Sequence, residues 1–95
     1  MTLLFEWDED KADSNLRKHR VSFDEAQTVF LDELSITAPD VKHSQREERL
    51  RIVGMSNKGR LLVVSFTERN ERIRLISARK AKRPEINTYE EEEFS

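Results

Sequence analysis

Residues 49–77 read RLRIVGMSNKGRLLVVSFTERNERIRLIS. Three apolar runs are separated by two turn signals. Arg49 to Met55 places Leu50 and Ile52 on one face and Arg49 and Arg51 on the other, the period of two of a half-buried strand. Leu61 to Thr67 is a denser apolar run, as expected of a central strand. Ile73 to Ser77 completes a meander. Asn57-Lys58-Gly59 and Arg69-Asn70-Glu71 form the turns between them, where Gly59 and Asn70 take positive φ at little cost.

Upstream, Leu34-Ser35-Ile36-Thr37-Ala38 reads as a short strand ended by Pro39, and residues 40–48 read as a polar loop. Ser22-Phe23-Asp24-Glu25 has the S-x-x-E pattern of a capping box, with Ser22 as N-cap and Glu25 at N3. Phe23, Ala26, Val29 and Phe30 recur at helical spacing, so a helix runs through about Phe30 with a core-facing stripe. Asp8 or Asp10 can cap an earlier helix through about Lys18. Its stripe, Ala12, Leu16 and His19, is weak. Leu3 to Trp7 reads as a first strand. Downstream, Pro84 suits a first helical turn, so a last helix runs from about Arg83 into the tail at Phe94. The order β-α-α-β-β-β-β-α predicts an α+β fold. It has a mostly antiparallel sheet of four to five strands, two N-terminal helices and one C-terminal helix.

Ninety-five residues make one domain, 1–95, with 83–95 as the C-terminal helix and acidic tail. Hydrophobic residues are 36% and charged residues 38%, polar enough that a stable partner would help the chain stay folded. There is no cysteine, which excludes a disulfide framework, a thiolate metal site and a cysteine nucleophile. The start, MTLLFEWDED, has no basic opening and no apolar run of signal-peptide length, so a cytoplasmic protein is expected. Net charge is −2, but it is unevenly spread. Residues 1–41 hold 4 basic and 10 acidic side chains, residues 42–83 hold 13 and 4, and residues 84–95 hold 0 and 5. A central block at +9 between ends at −6 and −5 suggests a polyanionic partner.

Two ordered blocks of residues are more specific. The first is Phe5-Glu6-Trp7-Asp8, Lys11, Asn15, Lys18-His19, Val21 and Phe23-Asp24-Glu25-Ala26. The second runs through Glu47-Glu48-Arg49, Ile52-Val53-Gly54, Gly59-Arg60, Thr67-Glu68-Arg69, Ile73-Arg74, Ile76-Ser77-Ala78-Arg79, Ala81, Glu85 and Tyr89. In these the chain resembles the BrnT family of type II toxins, from Phe5 to about Glu90. The resemblance implies a RelE-like fold, RNA cleavage that stops translation, and a BrnA-type antitoxin as partner. One position departs: the family usually has Gly after Lys-His, and here Arg20 follows. That position should be an αL C-cap, where a non-Gly residue costs about 1 kcal/mol. A catalytically impaired, toxin-like binding protein is therefore the alternative, with Arg20 and the acidic tail as its supports. A non-catalytic RNA-binding module ranks last, for want of an aromatic stacking platform.

RNA can be cut without metal or cofactor because its own 2′-OH is the nucleophile; positioned acid–base groups and fixed positive charge suffice. The chain has no H-E-x-x-H pattern, and its only histidines are His19 and His43. Lys18 and His19, at a helix end, are candidate proton-transfer groups; the plain alternative for His19 is a residue favouring the helix dipole. Arg60, after Gly59, and Arg79, at a strand end, suit phosphate binding; their plain alternatives are salt bridges to Glu47, Glu48 or Glu85. Lys11 shares a helix face with Lys18. Together with Arg49, Arg51, Arg72 and Arg74 it is assigned to the RNA backbone, the arginines as a basic sheet face. His43 lies in the polar loop, where a histidine is usually inert. Trp7 reads as core. The tail Tyr89 to Phe94 is a second candidate cover for the basic face.

Overall fold

Asp8 begins the first helix. Its backbone is extended, and its side-chain oxygen accepts the N–H groups of Asp10 (2.8 Å) and Lys11 (3.3 Å), satisfying donors that have no partner within the helix. In the computed structural model, which describes residues 3–45 and 47–94 (side chains to residue 91), β1 (Phe5–Glu6) leads into α1 (Glu9–His19) and α2 (Phe23–Thr28). A 3₁₀ turn, Val29–Leu31, extends α2. Then come β2 (Ile36–Pro39), a second 3₁₀ turn at Val41–His43, β3 (Leu50–Met55), β4 (Leu61–Arg69), β5 (Arg72–Lys80) and α3 (Arg83–Phe94).

The strands form one sheet in the order β1-β5-β4-β3-β2. All pairs are antiparallel except β1 with β5, which is parallel. The expected α+β order therefore holds, with five strands. β4 lies in the centre, as its dense apolar run requires. β4 and β5 extend beyond their sequence bounds, and β3 begins one residue later than expected, at Leu50. β2 begins at Ile36 rather than Leu34, and Pro39 is its last residue; β2 is an edge strand, where a missing N–H is tolerated. Gly59, Asn70 and Glu71 all have positive φ. The sequence pointed to the first two, and Glu71 takes the same conformation because both central residues of a tight hairpin turn share it.

The core lies on one face of the sheet. Val21, Phe23, Ala26 and Val29 from the helical layer pack on Ile52, Leu62, Val64, Phe66, Leu75 and Ala78. Phe5, Phe30 and Phe66 meet edge to face, with centroids 5.1 and 4.9 Å apart, and Trp7 meets Phe23 at 5.9 Å, so Trp7 packs against the core as expected. Gly54 admits the Val29–Leu31 turn: a Cβ there would lie 2.9 Å from Val29 Cγ1 and 3.0 Å from Ser35 Cβ.

The stripe of α1 differs from the sequence reading. Leu16 is exposed, and Asn15 is buried in its place. Asn15 Nδ2 donates to the carbonyls of Val21 (3.0 Å) and Ala78 (2.9 Å), and its Oδ1 accepts the Ala78 N–H at 3.0 Å. A helix of weak apolar character is thus docked by a carboxamide that completes the hydrogen bonding of β5. Replacing it leaves buried backbone groups unpaired, at about 1–3 kcal/mol each. Asn15→Leu is therefore expected to lower unfolding free energy by about 3 kcal/mol or more, read by urea denaturation; a loss below about 1 kcal/mol would contradict the clamp.

Candidate functional site: a basic concavity on the open sheet face

The face opposite the core carries the alternate residues of each strand. On β3 and the segment before it these are Arg49, Arg51 and Val53; on β4 they are Val63, Ser65 and Thr67. The register between β4 and β5 shifts once: Ser65 pairs with Ser77, but Phe66 pairs with Leu75. Ile76 is the extra residue. This bulge bends β5 locally and brings Ile76 and Ser77 into the same depression. His19, Asp40, His43, Arg49, Arg51, Ser65, Ile76, Ser77 and Arg79 line a concavity of about 380 Å³. Arginines flank it on β3 and β5, small hydroxyls from Ser65 and Ser77 line its floor, and a histidine enters from each of two other elements. An adjoining concavity of about 310 Å³ shares His43 and Arg49 and adds Gln45 and Glu47.

Of the residues singled out in the sequence, His19, Arg49, Arg51 and Arg79 meet here. Lys11 and Lys18 are exposed on α1, four residues before and three after the buried Asn15. Neither lines the concavity. Arg72 is exposed beside the β4–β5 turn. Arg74 is drawn to Glu6, at 2.9 Å, its register partner on β1. Asp40, Ser65, Ile76 and Ser77 join the site without having been candidates for it, and His43, a loop histidine of a kind usually inert, lines it as well. Ser65 carries no motif, and only the register of β4 on β5 sets it beside Ser77. Asp40 and His43 stand three apart in a polar loop, where spacing carries little information.

Arg79 is oriented before any ligand arrives. Its Nη1 donates to Glu85 Oε1 (2.9 Å) and the Lys80 carbonyl (3.2 Å), and its Nη2 donates to Glu85 Oε2 (3.2 Å). Those bonds use three of the five guanidinium donors and leave two. Glu85 also accepts from Arg51 Nη2 at 3.4 Å and from the Lys82 N–H at 2.7 Å, so it closes the start of α3 while holding two arginines of the concavity. The Arg79 guanidinium beside it, opposed by burial and aided by the Lys82 N–H, holds its carboxyl at about 2.

Arg60 lies elsewhere. It forms a two-armed pair with Glu25, with Nε to Oε2 at 2.9 Å and Nη2 to Oε1, and donates from Nη2 to the Arg20 carbonyl at 3.1 Å. It does not line the concavity. Glu25 is 3% exposed and also accepts from Ser56 Oγ at 2.6 Å. This corrects the capping-box reading by half. Ser22 Oγ accepts the Glu25 N–H at 3.0 Å, but the carboxylate turns inward to Ser56 and Arg60, because a half-buried cation and a hydroxyl serve it better than one backbone N–H. Arg60, against the opposing effect of burial, holds the Glu25 carboxyl below its usual range. Arg20, at φ 61° and ψ 30°, is the αL C-cap expected from its position, its N–H bonded to the Leu16 carbonyl at 2.9 Å.

Between Glu85 and Tyr89 the last helix runs away from the arginines, and the tail side chains after residue 91 lie outside the described residues. Glu85 reaches Arg51, and one turn later the buried Tyr89 donates to Asp32 Oδ2 at 2.7 Å. Asp32 in turn accepts the Met55 N–H at 2.7 Å, at the far end of β3. The helix therefore leads away from Arg49 and Arg51. Burial pushes the Asp32 carboxyl up, but bonds from Met55, Tyr89 and Leu34 together hold it below its usual range. Among the described residues no three His, Cys, Asp or Glu side chains gather as a metal cage, and no helix is long and apolar enough to cross a membrane.

Two outcomes are expected. Glu85, Glu25 and Asp32 all have lowered carboxyl pKa values in the fold. Their contribution is complete above the ordinary carboxylate range and is lost as pH falls through the folded values. Stability is therefore expected to fall between about pH 4.5 and about pH 2, where Glu85 titrates. Circular dichroism melts across that window check this, and a flat profile would contradict it. Arg60→Ala strips the partner from a buried carboxylate. Breaking such a pair costs about 3–5 kcal/mol, discounted here to about 2–4 because Arg60 is 30% exposed. Denaturant titration measures it, and a loss below about 1 kcal/mol would place Arg60 outside the fold's support.

Comparison with known proteins adds identity to this geometry. A crystal structure at 1.1 Å of the Brucella abortus ribonuclease toxin, BrnT, is similar with a TM-score of 0.66 and 24% identity, over 86% of this chain and 100% of that one. At that identity the likeness shows the fold. No curated relative matches the chain. The model of the ribonuclease toxin BrnT of type II toxin–antitoxin systems matches residues 7–85, most of the sequence, and on that match this chain belongs to the BrnT family of ribonuclease toxins.

Proposed function

We propose that this chain is a cytoplasmic endoribonuclease that needs no metal, stops translation by cutting RNA, and is neutralised by a BrnA-type antitoxin. The observation that carries the reading is the convergence of His19, Arg49, Arg51 and Arg79 from three elements on one concavity. RNA cleavage by the 2′-OH asks for three things: removal of its proton, stabilisation of charge gathering on phosphorus, and protonation of the leaving 5′-oxygen. Arg79, oriented by Glu85 with two donors to spare, suits the phosphoryl oxygens. Arg49, just before β3, and Arg51, on β3, flank it. Arg72, Arg74 and Lys11 lie outside the concavity and take the flanking RNA backbone, a salt-sensitive contribution that is independent of sequence.

Lys18 and His19 end α1 beside the concavity. His19, which lines it, takes the proton-transfer role, and the exposed Lys18 adds charge next to it. Arg60 acts at one remove. By holding Glu25 and the Arg20 carbonyl it fixes the turn after α1, and with it the position of His19. The family's antitoxin would cover the arginine-bearing face with an acidic segment, which blocks the RNA backbone through complementary charge.

Purified protein is expected to cut an RNA oligonucleotide in excess EDTA, and its expression alone is expected to arrest growth, with co-expressed antitoxin restoring it. Cutting that disappears in chelator and returns with Mg²⁺ would overturn the metal-free reading. Absence of both cutting and growth arrest would leave the toxin-like binding protein in its place.

A further inference from the structure

The geometry points to His43, held by Asp40, as the general base of this concavity, with His19 as the acid. The inference rests on the ribonuclease reading above and assigns the proton path within it.

His43 is not a loose loop histidine. Its Nδ1 lies 3.0 Å from Asp40 Oδ2. The Asp40 side chain is only 11% exposed, whereas that of His43 is 57% exposed, so a fixed carboxylate carries a projecting ring. Asp40 is pinned in turn. Its N–H donates to the Arg49 carbonyl at 2.7 Å, and its carbonyl accepts from the His43 N–H at 3.2 Å and from Ser44 Oγ at 2.7 Å. The turn is thereby tied to the segment that enters β3. With Nδ1–H directed at the carboxylate, Nε2 carries the lone pair. An aspartate that orients a histidine in this way defines a base by geometry.

The setting fits that role. His43 and Arg49 line both adjoining concavities, so the ring stands where an RNA strand would pass from one to the other. The larger, about 380 Å³, falls within the size class of small-ligand clefts, which begins near ~300 Å³. Among the described residues, the ionisable groups that line the two concavities beside His43 are Asp40 on its own turn, Glu47 and Arg49 from the segment before β3, Arg51 from β3, Arg79 from β5 and His19 from α1. Arginine thus holds the phosphate while the two imidazoles supply acid and base.

The step balances without another reactant. The 2′-OH proton passes to His43 Nε2 as the 2′-oxygen bonds to phosphorus. The bond from phosphorus to the 5′-oxygen breaks, and the His19 imidazolium gives its proton to that oxygen. The products are a 2′,3′-cyclic phosphate and a 5′-hydroxyl.

The test uses the whole purified chain and an RNA oligonucleotide in EDTA. His43→Ala is expected to slow cutting about 10²–10⁴-fold, the usual worth of a positioned acid or base. Its melting temperature should be unchanged, because the ring is exposed. Added imidazole should restore part of the rate. Asp40→Asn keeps the backbone bonds of the turn but loses the oriented tautomer. It should lower kcat at least about tenfold with KM unchanged, the mark of a positioning residue. Mass spectrometry should find cyclic phosphate ends. Active wild type with His43→Ala within threefold of its rate would overturn the dyad alone. Wild type that cuts no RNA would overturn the ribonuclease reading and the dyad with it.

Discussion

The side chain of Asn15 sits between α1 and β5, and its bonds to Val21 and to both backbone groups of Ala78 determine where the first helix rests. α1 has little apolar surface to bury, with Leu16 turned to solvent. A carboxamide with donor and acceptor both used gives direction that hydrophobic contact does not. Because Ala78 precedes Arg79 and His19 follows Asn15 by one turn, the same bonds bring the end of α1 next to the arginine end of β5. Loosening the clamp would separate the two residues that the concavity needs side by side.

A second constraint acts one turn further on. Arg20 occupies a left-handed cap that favours glycine. The strain is small beside what surrounds it, because the Arg20 N–H and carbonyl are both bonded, to Leu16 and to Arg60. Arg60 is fixed by the buried Glu25, which is itself bonded to Ser56. The chain of contacts runs from α2 through the β3–β4 turn to the end of α1. It explains how the fold accepts arginine at this position.

The two faces of the sheet divide the work. The helical layer covers one with aromatic and branched side chains, and this supplies most of the hydrophobic stabilisation. The other keeps its arginines within reach of carboxylates. Glu6 holds Arg74, Glu47 holds Arg69, and Glu85 holds Arg79 and Arg51. Exposed pairs of this sort contribute little to stability, but they fix guanidinium groups in place. The pairing also explains how a middle segment at +9 folds without severe self-repulsion.

Much was legible in the sequence by itself. The period-two alternation of Arg49–Met55, the dense run Leu61–Thr67 and the positive-φ residues at the turns determined the meander, since strand faces and turn conformations are local properties. Asp8, Ser22 and Pro84 marked the helix starts for the same reason, and the position of Arg20 identified its left-handed cap. The tertiary structure alone decided which charges meet. Glu25 and Arg60 are 35 residues apart, Asn15 and Ala78 are 63 apart, and no spacing rule links them. The bulge at Ile76 was equally hidden, because it exists only in the register between two strands. Sequence therefore identified the arginines and histidines as candidates by type. Folding sorted them, because distance in space depends on long-range packing: Arg60 went to the buried carboxylate, and Arg79, His19 and His43 to a shared concavity.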